Sequence, residues 1–313
     1  MIDAPKLDPR ETHVRIPSPH AGLKLFLRHL PLPQGVPVRG IVLYAHGGTF
    51  CSALSIAHRF DGRSWRDELC DAGFHVWGLD CHGFGRFSDP YPDTDLQTPL
   101  GRTADASRQL EAAVRFILAQ HQSQRLSLVA HSWGTMVAGH FAGRCPELVD
   151  RMVFFGPIAR RTPLGDAPKL GAWRLISLQD QWDRFTADVP QGEAPVLSRR
   201  HFDEWGEAYL DSDSESRDRQ PLAVRVPGGA FQDIFDAWAG SLSYDPGLIR
   251  ASLAIIHGEW DSMCTDADAA WLLDAIGDGR AIKVARATHL MHLEANRHAL
   301  YRATEGFLAG SRS

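Results

Sequence analysis

Short, strand-length apolar segments recur along this chain of 313 residues, and each ends at turn-forming residues. Residues 40–46 and 126–130 are the clearest examples. Between such segments, apolar side chains repeat at helical spacing, as at Leu110, Val114 and Ile117. A strand that is apolar on both faces needs cover on both faces, which is typical of parallel sheets with helical crossovers. The pattern therefore predicts an α/β fold, with a mostly parallel central sheet flanked by helices.

Composition and charge exclude several classes of protein and of binding partner. The net charge of −5 gives no electrostatic reason to expect a nucleic acid or an anionic membrane as a partner. The apolar runs are far shorter than the roughly 20 residues that a membrane-spanning helix needs. The five cysteines include no closely spaced pair, which argues against a disulfide framework and against a cysteine-rich zinc site. The N-terminus has no secretory signal pattern, so we expect a cytoplasmic protein.

Residues 159–245 interrupt the alternation of strands and helices. A connection of this length without structure of its own is uncommon in a compact domain, so we expect an inserted, mainly helical subdomain. The predicted core then comprises residues 1–158 and 246–313. The insertion carries a group of aromatic side chains: Trp173, Trp182, Phe202, Trp205 and Tyr209. Such side chains either line an apolar substrate pocket or form the insertion's own small core.

Ser132 stands between a predicted strand and a predicted helix, in the segment Ala130-His131-Ser132-Trp133-Gly134. A nucleophile elbow of the G-x-S-x-G type needs small residues two positions before and two after the serine, because strand and helix approach closely there. Ala130 and Gly134 meet this requirement, with one extra methyl group at the first position. The alternative is an ordinary strand–helix junction in which the serine caps the helix.

Three further segments place polar groups directly after predicted strands. Gly47 and Gly48 follow one strand, and paired glycines allow backbone N–H groups to point outward. Asp261 follows another strand, and His289 follows the last one. His292 lies close to His289 in the chain, but no further ligand at a fixed spacing supports a metal site there.

The chain order of Ser132, Asp261 and His289 is the order found in α/β-hydrolases. The segment 78–88 also resembles the D-x-x-G-x-G-x-S loop that follows the fourth strand in that superfamily. Over nearly its whole length, the chain therefore resembles an α/β-hydrolase-fold serine hydrolase of the esterase or lipase type. The resemblance implies the α/β-hydrolase fold, with residues 159–245 as a cap after the sixth strand.

The resemblance implies a role for each of these residues and requires no cofactor. Ser132 would be the nucleophile, His289 the general base, and Asp261 the carboxylate that orients the histidine. Glu259, two residues before Asp261, is the competing carboxylate.

The resemblance also places an oxyanion hole, and the aromatic content of the insertion indicates a substrate pocket. The backbone N–H groups of Trp133 and Gly48 would bind the oxyanion, with Thr49 as the alternative to Gly48. The aromatic side chains of the insertion are expected to lie over Ser132 and to favour substrates with a hydrophobic acyl or alcohol group.

Several activities are compatible with this arrangement. The leading hypothesis is hydrolysis of a carboxylic ester of a small or medium hydrophobic molecule through an acyl-enzyme on Ser132. The Ser-Trp-Gly sequence also resembles the elbow of serine peptidases that remove N-terminal proline, so amide hydrolysis is the alternative. Lactone cleavage, carbon–carbon bond hydrolysis and acyl transfer on the same residues stay open. A non-catalytic ligand-binding protein and a cofactor-free oxygenase are the hypotheses from other classes.

Overall fold

The computed structural model describes residues 4–93, 95–163 and 165–310. The strands are β1 (Thr12–Pro17), β2 (Lys24–Leu30), β3 (Gly40–Ala45), β4 (Phe74–Asp80), β5 (Leu126–His131), β6 (Val149–Phe155), β7 (Trp173–Ser177), β8 (Ala223–Pro227), β9 (Ser252–Gly258) and β10 (Gly279–Val284). The α-helices are α1 (Trp65–Asp71), α2 (Thr103–His121), α3 (Trp133–Arg144), α4 (Leu178–Thr186), α5 (Arg199–Leu210), α6 (Gly229–Trp238), α7 (Asp266–Ile276) and α8 (His298–Ala309). Within the described ranges, no helix combines the length and the apolar character needed to cross a membrane.

Eight of these strands form the central sheet, in the order β1-β2-β4-β3-β5-β6-β9-β10. β2 pairs antiparallel with both β1 and β4, and every other neighbouring pair is parallel. The carboxyl ends of β3, β5, β6, β9 and β10 therefore lie along one edge of the sheet, where ligands bind in open α/β folds. The predicted fold, a mostly parallel sheet flanked by helices, is confirmed.

The hydrophobic core lies in two layers, one on each face of the sheet. Along β3, Ile41 and Leu43 pack with the side chains of α2 and α3, whereas Val42 and Tyr44 pack with those of α1 and α8. This alternation follows from the two-residue period of a strand. It explains why the strand is apolar without interruption, since both of its faces are buried.

The insertion between β6 and β9 contains a two-stranded antiparallel ribbon, β7–β8, as well as the helices α4, α5 and α6. The sequence indicates a mainly helical insertion and gives no sign of this ribbon. The connection from β7 to β8 runs through α4 and α5, so no hairpin turn marks the pair in the sequence. α6 packs on the core helices α2 and α3. A division of the chain at residues 158 and 245 stays a prediction.

Candidate active site

Ser132 occupies a strained turn between β5 and α3. Its backbone has φ +52° and ψ −124°, a conformation that side chains other than glycine rarely adopt. The turn is held by the Ser132 N–H, which donates to the Phe155 carbonyl at 3.2 Å, and by the Thr135 N–H, which donates to the Ser132 carbonyl at 2.9 Å. The serine hydroxyl makes no capping hydrogen bond to α3. The strain is therefore maintained by the backbone around the serine and leaves its side chain unused by the helix.

Gly134 explains why this turn needs a small residue two positions after the serine. A Cβ atom at Gly134 would lie 2.4 Å from the carbonyl oxygen of His46 and 2.6 Å from that of Ala45, at the end of β3. Neither backbone atom can move without displacing the strand. The first turn of α3 therefore rests directly on β3.

Asp261 and His289 meet at the same edge of the sheet. The His289 Nδ1 lies 3.0 Å from Asp261 Oδ2 and 3.1 Å from Oδ1. Asp261 Oδ1 also accepts hydrogen bonds from the N–H groups of Met263 at 2.9 Å and Cys264 at 3.0 Å, which fix the carboxylate. Because a carboxylate accepts hydrogen bonds, Nδ1 carries a proton, and Nε2 is the basic nitrogen of the neutral ring. Among the described residues, this buried Nε2 has no hydrogen-bond partner.

His131 connects Ser132 to the loop that carries His289. Its Nε2–H donates to the His289 carbonyl at 3.0 Å, and its ring stacks on Phe155 at 4.5 Å. Ser132, His289 and Asp261 are each exposed by 5% or less. The end of β5 and the His289 loop are therefore locked together at the serine, with the three polar side chains withdrawn from water.

The buried histidines around this site are held in their neutral form. Burial and the neighbouring histidines lower the pKa of His131 well below its usual value, and they lower the pKa of His292 to about 3. Burial also lowers the pKa of His46. The Cys81 N–H donates to His46 Nε2 at 3.1 Å, so the proton of this ring is on Nδ1. These rings add no positive charge beside His289.

The segments expected to provide the oxyanion hole lie side by side. A Cβ atom at Gly48 would lie 3.8 Å from the Cβ atom of Trp133 and 3.1 Å from that of Ala230. The indole N–H of Trp133 donates to Asp233 Oδ2 at 2.9 Å, which anchors the start of α3 to α6. Thr49, half-buried, follows in the same loop. The assignment of donors among these residues stays a prediction.

Glu259, the competing carboxylate, is exposed and makes a different contact. Its Oε2 accepts a hydrogen bond from the Arg286 N–H at 2.8 Å. The structure therefore pairs His289 with Asp261 and gives Glu259 a role at the surface of the neighbouring loop.

Glu294 is a buried acid that the sequence did not single out as a site residue. Its two carboxylate oxygens each lie 3.2 Å from the Thr288 N–H, and the Thr288 hydroxyl donates to Oε1. Burial, together with the nearby Asp261 carboxylate, raises the pKa of Glu294 to about 7. Glu294 thus closes the loop that contains His289 by bonding to the residue before it.

Three of the five aromatic residues singled out in the insertion share one cluster. Phe202, Trp205 and Tyr209 are buried in α5, and the rings of Trp205 and Tyr209 stack at 5.0 Å. Trp205 reaches the core: its indole N–H donates to the Leu54 carbonyl at 2.9 Å, and its ring meets Phe50 edge-on at 5.2 Å. Because Phe50 follows the glycine pair by two residues, this contact joins the insertion to the loop expected to bind the oxyanion.

The other two aromatic residues lie at the edges of the insertion. Trp182 is half-buried and meets Phe202 edge-on at 4.9 Å. Trp173 lies apart, where its indole N–H donates to Asp93 Oδ1 at 2.7 Å and Arg225 stacks over its ring at 4.4 Å. Contact of any of the five with a substrate stays a prediction.

Sequence reasoning missed His131, Asp233 and Glu294 as parts of the site. The adjacency of His131 to Ser132 was a usable signal, because a residue at the end of a central strand faces the neighbouring loop. Asp233 and Glu294 had no local signal, since their partners at Trp133 and Thr288 become neighbours only through packing.

The mostly parallel sheet and the turn at Ser132 define the chain as a member of the α/β-hydrolase superfamily. The family model described as serine aminopeptidase, S33, matches residues 37–296, so the chain belongs to that family. It is an enzyme family of hydrolases, which implies a small-molecule substrate.

Solved structures of similar fold include several hydrolases. A thermophilic esterase from Thermogutta terrifontis is 16% identical, with 95% of this chain and 98% of that chain covered and a TM-score of 0.61. A monoacylglycerol lipase from Paleococcus ferrophilus is 19% identical, with 91% and 98% covered and a TM-score of 0.56. A 2-hydroxy-6-oxo-6-phenylhexa-2,4-dienoate hydrolase from a Rhodococcus species is 17% identical, with 95% and 99% covered and a TM-score of 0.61. At these identities the similarity shows the fold alone.

Proposed function

We propose that this protein is a serine hydrolase that cleaves carboxylic esters of small or medium hydrophobic molecules through an acyl-enzyme on Ser132. The main support for this proposal is the arrangement of the His289 ring. Its Nδ1 is held by Asp261 at 3.0 Å, while its Nε2 is buried without a partner among the described residues, beside the strained turn at Ser132. A neutral imidazole with a free, oriented lone pair is what activation of a serine hydroxyl requires.

In the proposed reaction, His289 Nε2 removes the proton from the Ser132 hydroxyl as its oxygen attacks the ester carbonyl carbon. The resulting oxyanion accepts hydrogen bonds from the backbone N–H groups of Trp133 and Gly48, with Thr49 as the alternative to Gly48. The imidazolium then protonates the leaving alkoxide, which departs as an alcohol and leaves the acyl group on Ser132. A water molecule, deprotonated by the same nitrogen, releases the acid and restores the serine. Asp261 keeps the ring in one tautomer throughout.

Amide hydrolysis is the second candidate, because the family is described as serine aminopeptidase. An aminopeptidase must also bind the free ammonium group of its substrate, usually with a carboxylate. The buried acids at this site already have partners: Asp261 binds His289 and two backbone N–H groups, and Glu294 binds Thr288. Asp233 binds the Trp133 indole, Thr103 and Arg102. Because these carboxylates already have partners, the site favours esters as substrates over peptides with a free N-terminus.

The preference for a hydrophobic substrate is supported by the apolar contacts of Phe50, which follows the glycine pair in the chain. Phe50 packs between Trp205 of the insertion and His292, at ring distances of 5.2 and 6.0 Å. We assign residues 159–245 as a cap whose aromatic side chains limit the size of the acyl or alcohol group. Closed apolar surfaces with few polar groups are typical of small-molecule sites.

The test is a matched panel of substrates that differ only in the bond cleaved. 4-Nitrophenyl esters of two to ten acyl carbons are compared with the 4-nitroanilides of alanine, leucine and proline, using wild type and Ser132→Ala. We expect turnover of the esters, abolished by Ser132→Ala, and kcat/KM at least about a hundredfold lower for every anilide. Faster cleavage of an anilide than of any ester would replace the esterase assignment with that of an aminopeptidase. No turnover of either series would overturn both.

A further inference from the structure

Three histidines come together at the edge of the sheet opposite Ser132. His29 belongs to β2, His75 begins β4 after Phe74, and His121 is the last residue of α2. One ring nitrogen of each lies within 4.8 Å of a ring nitrogen of both others. The proposed esterase reaction uses none of these side chains.

The topology of the sheet explains why they meet. His29 is directly opposite Trp77 in the antiparallel pair of β2 and β4. His75 precedes Trp77 by two residues and therefore points to the same face of the sheet. α2 covers this face, with Phe116 packed against Trp77, and its last turn brings His121 beside the two strand histidines. All three side chains are half-buried, which leaves them open to a small ion from solvent.

From this juxtaposition we infer that His29, His75 and His121 form a binding site for a divalent first-row transition-metal ion, zinc being the ion to test first. Imidazole nitrogens suit zinc, copper and nickel. Zn–N bonds of about 2.0–2.1 Å at tetrahedral angles put the ligand nitrogens about 3.3–3.4 Å apart. His29 Nε2 and His75 Nδ1 are 3.3 Å apart. Three protein ligands leave one coordination position for water.

Hydrogen bonds around the site orient two of the three rings. The Trp77 indole N–H donates to His121 Nε2 at 3.0 Å, so that nitrogen carries no proton. The Thr12 hydroxyl lies 3.4 Å from His29 Nδ1, the ring nitrogen that does not face His75. In metal sites, such outer contacts set the tautomer and orientation of the ligand. A metal at His121 Nε2 would replace the bond to Trp77, whose ring stacks on His29 at 4.2 Å.

The site is structural in character and separate from the proposed hydrolase chemistry. His75 is the second residue of β4, and about 16 Å of strand separates it from Asp80 at the carboxyl end of β4, on the edge of the sheet where Ser132 lies. An ion here would tie together β2, β4 and the end of α2. Because the ion binds the folded state and not the unfolded state, it should raise the midpoint temperature of thermal unfolding.

The experiment is a calorimetric titration of the full chain with Zn²⁺ after dialysis against a chelator, using wild type, His75→Ala, His121→Ala and the control His298→Ala. His298 is exposed and bonded to Glu68, and it lies on α8, which contacts α1, β9 and β10. We expect one Zn²⁺ per chain in wild type and His298→Ala. Each of the other two variants should bind more than about a hundredfold more weakly, since even outer contacts are worth 10–100-fold. Zn²⁺ should raise the unfolding midpoint of wild type but not of His75→Ala.

Two readouts keep the inference falsifiable if a variant folds poorly. Cu²⁺ should quench tryptophan fluorescence in wild type, and Trp77→Phe should remove much of this quenching. Ester hydrolysis should be the same with zinc and with chelator, so failure of the metal site would leave the proposed esterase untouched. Equal zinc binding by wild type, His75→Ala and His121→Ala, or loss of binding in His298→Ala, would show that surface histidines bind the ion and would overturn the inference. So would the absence of zinc binding to wild type.

Discussion

Replacement of Glu294 by Gln tests whether the loop of His289 is closed by a protonated carboxyl group. Glu294 is fully buried, and its pKa is raised from 4.5 to about 7. Below pH 4.5 the group is protonated in both the folded and the unfolded chain and leaves stability unchanged. Between pH 4.5 and 7 the unfolded chain ionises first, so the free energy of unfolding falls as pH rises. Above pH 7 both states are ionised and the loss is complete.

The size of the loss follows from the two pKa values. One pKa unit corresponds to about 1.4 kcal/mol, so the full loss is about 3 kcal/mol, most of which falls between pH 5 and 8. Gln keeps an acceptor for Thr288 but cannot ionise. Glu294→Gln should therefore be close to wild type in stability at pH 5 and more stable than wild type at pH 8.

The assay is urea unfolding of wild type and Glu294→Gln at half-unit intervals from pH 5 to 8. Subtracting the free energy of unfolding of one protein from that of the other removes the contributions of all groups that titrate in the same way in both. Glu259→Gln is the matched control, because that carboxylate is exposed, and its curve should run parallel to that of wild type. If the difference between wild type and Glu294→Gln changes by less than about 0.5 kcal/mol over this range, Glu294 is ionised in the folded protein and the reasoning is wrong.

Three further substitutions test the site. Asp261→Asn should leave the fold intact but lower kcat of ester hydrolysis by about 10⁴-fold, as in another triad enzyme; a larger loss in Glu259→Gln would reverse the choice of acid. Gly134→Ala should lower the free energy of unfolding by about 1–3 kcal/mol in urea titration, since its Cβ would lie 2.4 Å from the His46 carbonyl oxygen; an unchanged midpoint would refute the close packing. Trp205→Ala should lower the free energy of unfolding by about 3–5 kcal/mol and shift the order of kcat/KM among esters of different length. Trp182→Ala should lower the free energy of unfolding less, because Trp182 is half-buried; equal effects of the two substitutions would place both residues in the insertion's own core.

The central sheet could be predicted from the sequence because its strands are buried on both faces. β3 is apolar without interruption and every residue of β5 is buried, and burial on two faces is the physical cause of the apolar pattern. The turn at Ser132 was predictable for a similar reason, since close packing demands the glycine at position 134. Local constraints of this kind leave their mark on neighbouring residues.

Contacts between distant segments left no such mark. β7 pairs with β8, some fifty residues further along the chain, across two helices rather than a tight turn. Asp233 is an ordinary helical residue until packing brings Trp133 against it. The histidines of β2, β4 and α2 likewise become neighbours only when the sheet order is known.

Covalent labelling tests whether His289 activates Ser132 as a nucleophile. Wild type, Ser132→Ala and Asp261→Asn are treated with a fluorophosphonate probe, and the modified residue is mapped by mass spectrometry of peptides. We expect one adduct per chain, on Ser132, that forms much more slowly in Asp261→Asn and is absent from folded Ser132→Ala. An adduct on another residue, or no adduct on folded wild type, would contradict it.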